Sequence, residues 1–224
     1  MSPTTKTTAP TKARTKARKH VLPVYREIDV FLAKELPKVG AVSCKRGCSS
    51  CCELLVVLTS GEAEVLADAI MGDPVLRESV HVLLGKLDVQ TARLEAWGAE
   101  FGGDNLEAIR YAWWQSRQNC AMLDGETKAC RAYADRPSPC RTYHVVSESL
   151  LCGERGKSGE SVLTAQVRIP DEAQARILWR LARAASASGL DVLVGSLPQL
   201  LGIALRRKLD LPPRESLGGA SVLG

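Results

Sequence analysis

The sequence predicts a mainly α-helical domain that is interrupted by two irregular, cysteine-rich loops. Apolar residues recur at the three- and four-residue spacing of amphipathic helices over much of the chain. Glycine and proline separate these periodic stretches. The eight cysteines fall into two bunches, at 44–52 and 120–152, and turn-forming residues surround both. At 224 residues the chain is long enough to bury a sizeable core around these loops.

We expect one domain with a tail at each end. Residues 1–20 carry six basic side chains and no acid, so they read as a basic, disordered tail. The rest of the chain has 24 basic and 25 acidic residues and is nearly neutral. The basic residues of this tail therefore account for the high isoelectric point of the chain. Residues 21–208 are expected to form the cysteine-cluster helical domain, with its motif region at 44–152, and residues 209–224 a loose C-terminal tail.

The helices of the first half follow from apolar spacing and capping residues. Helical periodicity covers residues 21–36, and a short apolar run at 54–58 predicts a strand or an extended link. Thr59 is placed as an N-cap, with Glu62 completing a capping box for a helix that runs to about Met71.

The second half is read in the same way. Asp73 and Pro74 supply a cap and a first-turn proline for a helix to about Trp97, in which Gly85 could mark a break. Asp104 is expected to cap the next helix. Further helices are predicted over 104–117, 170–187 and 198–208, and residues 118–160 are predicted to be loops and turns.

The first cysteine bunch has the spacing of a metal-binding turn. It reads C-x3-C-x2-C-C over Cys44, Cys48, Cys51 and Cys52, with Gly47 permitting the turn. Gaps of two and three residues bring two thiolates onto one ion. Because adjacent side chains point apart, Cys51 and Cys52 serve different faces of a cluster or different metals, or one of them is a packing cysteine.

The second bunch is more widely spaced, and arginines surround it. Asp124-Gly125 predicts a turn, and prolines stiffen the approach to its third cysteine. Thiolates around Zn²⁺ or an oxidised iron–sulfur core leave negative charge, which Arg136 and Arg141 would stabilise unless they are ordinary surface residues. His144 could add an imidazole ligand. The cysteines of this bunch are Cys120, Cys130, Cys140 and Cys152.

The expected compartment favours metal over disulfides. The basic tail lacks the apolar segment of a secretory signal, so we expect a cytoplasmic protein in a reducing environment, where stable disulfides are rare. The sequence has no run of about 18–20 apolar residues, which a membrane-spanning helix requires, so we expect no membrane association. Zinc and iron–sulfur clusters both use thiolates at these spacings, so both remain open.

The two cysteine motifs, in this order, resemble the YkgJ-type cysteine-cluster family. The resemblance covers roughly residues 44–152 and joins the first bunch to the later Tyr133, Arg136-Pro137 and Cys140-Arg141 pattern. It implies zinc or iron–sulfur binding, and it adds Tyr133 to the residues expected around the metal. A related branch, the flagellin lysine methylases, implies protein-modifying chemistry in some relatives.

The expected function is therefore cysteine-ligated metal binding, at a site that both loops form by converging. Two alternatives remain open. One is a metal-dependent, protein-modifying enzyme, which only the related branch supports. The other is a nucleic-acid-associated module, in which residues 1–20 bind nucleic acid or another acidic partner through their positive charge.

Overall fold

The structure is a computed structural model that describes residues 11–44, 47–146 and 169–215. The predicted fold class is confirmed: the protein is mainly α-helical, with a single two-stranded sheet in the described part. Strands β1 (Val57–Thr59) and β2 (Val194–Ser196) pair antiparallel, with Leu58 opposite Gly195. The helices are α1 (Thr11–Glu35), α2 (Ser60–Gly72), α3 (Pro74–Glu78), α4 (Val80–Phe101), α5 (Leu106–Gln115), α6 (Ser138–Thr142), α7 (Asp171–Ala187) and α8 (Leu197–Lys208).

Two predicted helix starts are confirmed in atomic detail. The backbone N–H of Thr59 donates to Glu62 Oε2 over 2.9 Å, and the Thr59 hydroxyl accepts from Glu62 N–H, which completes the capping box of α2. Asp73 caps α3 through Oδ1, which accepts from the N–H groups of Val75 and Leu76. Both starts rest on contacts within three residues, which is why the sequence could predict them.

Two local boundaries and one strand differ from the prediction. The helix after Pro74 breaks at Ser79, whose hydroxyl bonds the Leu76 carbonyl, and not at Gly85. Serine hydroxyls compete with the helical backbone in this way. Asn105 caps α5 in place of Asp104. The strand β2 was not predicted, because three residues carry too little periodic signal.

Parts of both predicted tails contact the helical domain. Helix α1 begins at Thr11, so residues 11–20 are helical where the sequence predicted a disordered tail. Ala17 is buried, and Arg18 pairs with Asp135 at 2.9 Å, so this part of the basic segment packs on the domain. At the other end Arg214 forms two 2.8 Å bonds with Glu95. Residues 1–10 and 216–224 lie outside the described residues.

Helix α2 is the centre of the fold. One side packs with α4 and α8 through residues such as Ile70 and Leu201, and the other side faces α1 and α7. Gly61 lies where α2 approaches those two helices, since an added Cβ would meet Val21 at 3.2 Å and Ala185 at 3.3 Å. The beginning of α2 is therefore held in the interior, against α1 and α7. None of the helices in the described ranges is long and apolar enough to cross a membrane.

Candidate metal centre

A short 3₁₀ turn presents the first cysteine bunch. It spans Ser50–Glu53 and is closed by Cys52 N–H donating to the Ser49 carbonyl at 2.8 Å. Gly47 has a φ of +90°, which an L side chain rarely adopts, so the turn predicted at this glycine is present. Cys51 and Cys52 lie in this turn, a few residues before β1.

A hairpin-like turn presents the next two cysteines. Asp124 Oδ1 accepts from the N–H groups of Glu126 and Thr127, and Leu123 pairs with Cys130 in an antiparallel bridge. The turn predicted at Asp124 is thus confirmed. It returns the chain on itself, so that Cys120 and Cys130 come from the two sides of one loop.

Helix α6 carries Cys140. Pro137 is its N-cap, and Cys140 N–H donates to the Pro137 carbonyl at 3.0 Å. Pro139 lies in its first turn, where a missing N–H costs nothing. The two prolines expected to stiffen the approach to Cys140 therefore shape the helix that holds this cysteine.

The backbone joins the two cysteine bunches directly. Cys120 N–H donates to the Cys52 carbonyl at 2.7 Å, although 67 intervening residues separate the two positions in the chain. Gln90 of α4 donates to the Asn119 carbonyl at 2.8 Å and so fixes the same segment to the helical core. A main-chain hydrogen bond thus holds the two loops together, and a side-chain hydrogen bond ties the second loop to α4.

Six cysteines from both bunches line one cavity of about 60 Å³. This volume exceeds the roughly 10–15 Å³ that one water requires, so the thiols surround space large enough for an ion. Leu66, Met122 and Leu197 contribute apolar walls from the core. The six cysteines are Cys48, Cys51 and Cys52 from the first bunch and Cys120, Cys130 and Cys140 from the second.

The remaining two predicted ligands are Cys44 and Cys152. Cys44 is not among the residues that line the cavity; its Sγ accepts from Val145 N–H at 3.4 Å. Cys152 lies outside the described residues. Within the described ranges, no three His, Cys, Asp or Glu side chains form a ready-made ligand set. Ligation by the cavity thiols therefore stays a prediction.

Burial favours the protonated form of three of these thiols. It raises the pKa of Cys120 to about 12 and raises the pKa values of Cys130 and Cys140 as well. The hydrogen bond between Cys51 and Cys52 lowers the pKa of Cys51 to about 7 and raises that of Cys52. A metal that bound these sulfurs would have to displace protons from them.

Arg136 is the cation at this cavity. It lies in the cavity wall, and its charge opposes the effect of burial on the pKa values of Cys130 and Cys140. Its guanidinium carbon lies 4.3 Å from the centroid of the Tyr133 ring, which also lines the cavity. The sequence predicted both residues near the thiols, and the structure brings both there.

Arg141 has a different environment. Its Nη1 atom donates to both Asp29 carboxylate oxygens at 3.0 and 2.8 Å, and its guanidinium lies 4.4 Å from the Tyr25 ring centroid on α1. Its other donors bond the carbonyls of Arg136 and Ala134. Its side chain is 8% exposed and does not line the cavity. Arg141 is thus held by an anion and an aromatic ring of α1, and its predicted role beside the thiols stays a prediction.

His144, the other candidate metal ligand, is not among the residues that line the cavity. Its Nε2 lies 2.8 Å from the Arg141 carbonyl. Its Nδ1 is buried without a hydrogen-bond partner in the described part of the structure. Burial lowers the pKa of this imidazole.

Sequence reasoning missed a contact of Glu62 with the second bunch. While Oε2 closes the capping box, Oε1 accepts from Ser138 N–H, the first residue of α6, at 2.7 Å. Glu62 is 1% exposed and lies 76 residues from Ser138 in the chain. The capping role fully explained a glutamate at this position, so no further signal in the sequence pointed to Ser138.

Comparison with known proteins supports a metal-binding family. Residues 43–158, more than half of the chain, match the CxxCxxCC family model, whose description is "Putative zinc- or iron-chelating domain". No curated protein and no solved structure shows significant similarity to the chain. The matched range contains all eight cysteines, and the cavity is built from six of them. The chain therefore belongs to the CxxCxxCC cysteine-cluster family, whose description supports metal binding in general.

Proposed function

We propose that this protein binds zinc or an iron–sulfur cluster through thiolates of the six-cysteine cavity. The observation that carries the proposal is the shared cavity, to which each cysteine bunch contributes three side chains. Neither bunch supplies four ligands there alone. The fold would therefore build the site, and metal binding would be coupled to folding.

The chemistry of the donors supports thiophilic metals. All six candidate donors are sulfur, which selects Zn²⁺ and iron–sulfur clusters over Mg²⁺ or Ca²⁺. The apolar walls would limit the access of water and so strengthen the electrostatic attraction between the ion and its ligands. When bound, zinc would supply a structural cross-link, whereas a cluster would add electron-transfer capacity.

The charge around the cavity also fits an anionic centre. Four thiolates around one Zn²⁺ leave a net charge of about −2. Arg136 lies in the cavity wall and would offset part of this charge. Arg136 in turn stacks on Tyr133, which restricts where its guanidinium can go.

Anaerobic purification with metal analysis and an absorption spectrum tests the proposal. Stoichiometric zinc in a colourless protein identifies a zinc site. Broad brown absorbance with acid-labile sulfide identifies an iron–sulfur cluster. A folded protein that retains no metal, and takes up none when Zn²⁺ or iron with sulfide is supplied anaerobically, would overturn the proposal.

A further inference from the structure

We propose that Glu62 is the positioning residue for Cys140, the cysteine that α6 brings to the cavity. This inference rests on the proposed function of the cavity. The carboxylate links the start of α2 to α6: Oε2 accepts from the N–H of Thr59, the N-cap of α2, at 2.9 Å, and Oε1 accepts from the N–H of Ser138, the first residue of α6, at 2.7 Å. Cys140 lies two residues after Ser138, within the same five-residue helix.

Helix α6 is too short to hold its own orientation. An isolated helix of five residues is not stable in water, so tertiary contacts must fix its direction. Glu62 binds its first N–H group, and Arg141 binds Asp29 of α1 near its end. The Glu62 contact is buried, whereas Asp29 is 53% exposed. The buried contact therefore contributes more to fixing the start of α6, since a charged hydrogen bond is stronger away from water.

A second capping box in the same chain shows that capping alone does not need a carboxylate. At the start of α8, Gln199 Oε1 accepts from Ser196 N–H at 3.4 Å and from its hydroxyl at 2.7 Å. This box follows β2 as the Glu62 box follows β1. One acceptor oxygen suffices for the box. The second carboxylate oxygen of Glu62 can therefore accept a hydrogen bond from α6, whereas a glutamine amide has only one acceptor oxygen.

Glu62→Gln therefore separates the two roles. The amide oxygen can still close the capping box, as Gln199 does, but the NH₂ group then faces Ser138 N–H, donor against donor. Ser138→Pro gives a second route, because it removes the same N–H at the first position of α6 and leaves Glu62 itself unchanged. The matched control is Gln199→Glu, in the box that has no cysteine helix attached.

The first readout is the reactivity of the Cys140 thiol in the metal-free, reduced protein. Its rate of alkylation by iodoacetamide is measured by mass spectrometry in the parent and in the three variants. We expect Glu62→Gln and Ser138→Pro to alkylate Cys140 several-fold faster than the parent, whereas Gln199→Glu alkylates it at the parental rate. Cys48, on the other loop, should react equally in all four proteins. Parental rates at Cys140 in both Glu62→Gln and Ser138→Pro would overturn the inference.

The second readout is Co²⁺ affinity, followed through the sulfur-to-metal charge-transfer absorption. We expect Glu62→Gln to bind Co²⁺ about 10–100-fold more weakly than the parent, the usual cost of losing an outer-shell partner. When Cys140→Ser is already present, adding Glu62→Gln should not weaken Co²⁺ binding further, because Glu62 acts on Co²⁺ affinity by positioning the Cys140 thiol. Equal costs in both backgrounds would overturn the inference.

The two proposals can fail separately. If the parent binds no metal, the proposed function fails, while the alkylation comparison still decides whether Glu62 positions Cys140. If the parent binds metal and Glu62→Gln matches it in both readouts, only the role of Glu62 is overturned.

Discussion

The amide of Cys120 donates to the carbonyl of Cys52 over 2.7 Å, so a main-chain bond links the two cysteine bunches. Neither side chain is needed for this bond. Substituting one cysteine therefore removes a sulfur and leaves the link between the loops in place. This separation makes cysteine variants a clean test of ligation.

Cys48→Ser and Cys140→Ser are each expected to lose metal and to lower the melting temperature of the metal-loaded protein. The reason is that each removes a soft donor from the cavity, and serine is a poor ligand for thiophilic metals. Metal content and thermal unfolding measure both effects. Ile70→Val is the control, because it costs about 0.5–1.5 kcal/mol in the fully buried core without touching the cavity. Unchanged metal content in both serine variants would exclude these two thiols as ligands.

Arg136→Ala and Arg141→Ala are expected to have different effects. Arg136 lines the cavity, so its loss should weaken metal binding about 10–100-fold in a chelator competition and leave the metal-free fold near its parental stability. Arg141 is bonded to Asp29 and to two carbonyls, so its loss should lower the free energy of unfolding by about 1–3 kcal/mol.

Arg176→Ala on α7 is the control for both arginines, since Arg176 is exposed and outside the motif. It should change the free energy of unfolding by less than about 0.5 kcal/mol. If Arg141→Ala weakens metal binding more than Arg136→Ala does, the assignment of the two arginines is reversed.

Two glycines should respond oppositely to added side chains. Gly61→Val forces a side chain against Val21 and Ala185, and it should destabilise the protein by about 1–3 kcal/mol. Gly85 lies on the exposed face of α4, away from its ends, and nothing lies within 4 Å of an added Cβ. Gly85→Ala should therefore raise the free energy of unfolding by about 0.4–1 kcal/mol. Urea unfolding measures both. A neutral Gly61→Val would contradict the close packing of α2 against α1 and α7.

His144 should make the metal-free protein less stable in mild acid. Burial lowers its pKa in the folded state, and protonation would place a hydrogen on a buried Nδ1 that has no acceptor among the described residues. The unfolded chain then binds more protons than the folded one, so stability falls as the pH drops below the unfolded pKa of about 6.5. Urea unfolding between pH 7 and 5 measures this loss. His144→Asn should lose less stability than the parent over that range, and an equal loss would assign the effect to other groups.

Features that depend on near neighbours could be predicted from the amino-acid sequence. The capping box of Thr59 and Glu62, the Asp73 cap, the turn at Asp124 and the two cysteine bunches all rest on contacts within a few residues. The cysteine spacing also identified the family, because the two motifs occur in a fixed order along the chain.

The packing of distant segments sets how these pieces face one another. It brought six thiols to one cavity, left Cys44 outside its wall, and turned Arg141 toward Asp29 while Arg136 stayed beside the sulfurs. It also gave Glu62 a partner 76 residues away. Capping and turn preferences act over one helical turn, whereas these contacts depend on how α1, α2 and α6 pack. No spacing along the chain encodes which side of a packed helix an arginine or a second carboxylate oxygen will meet.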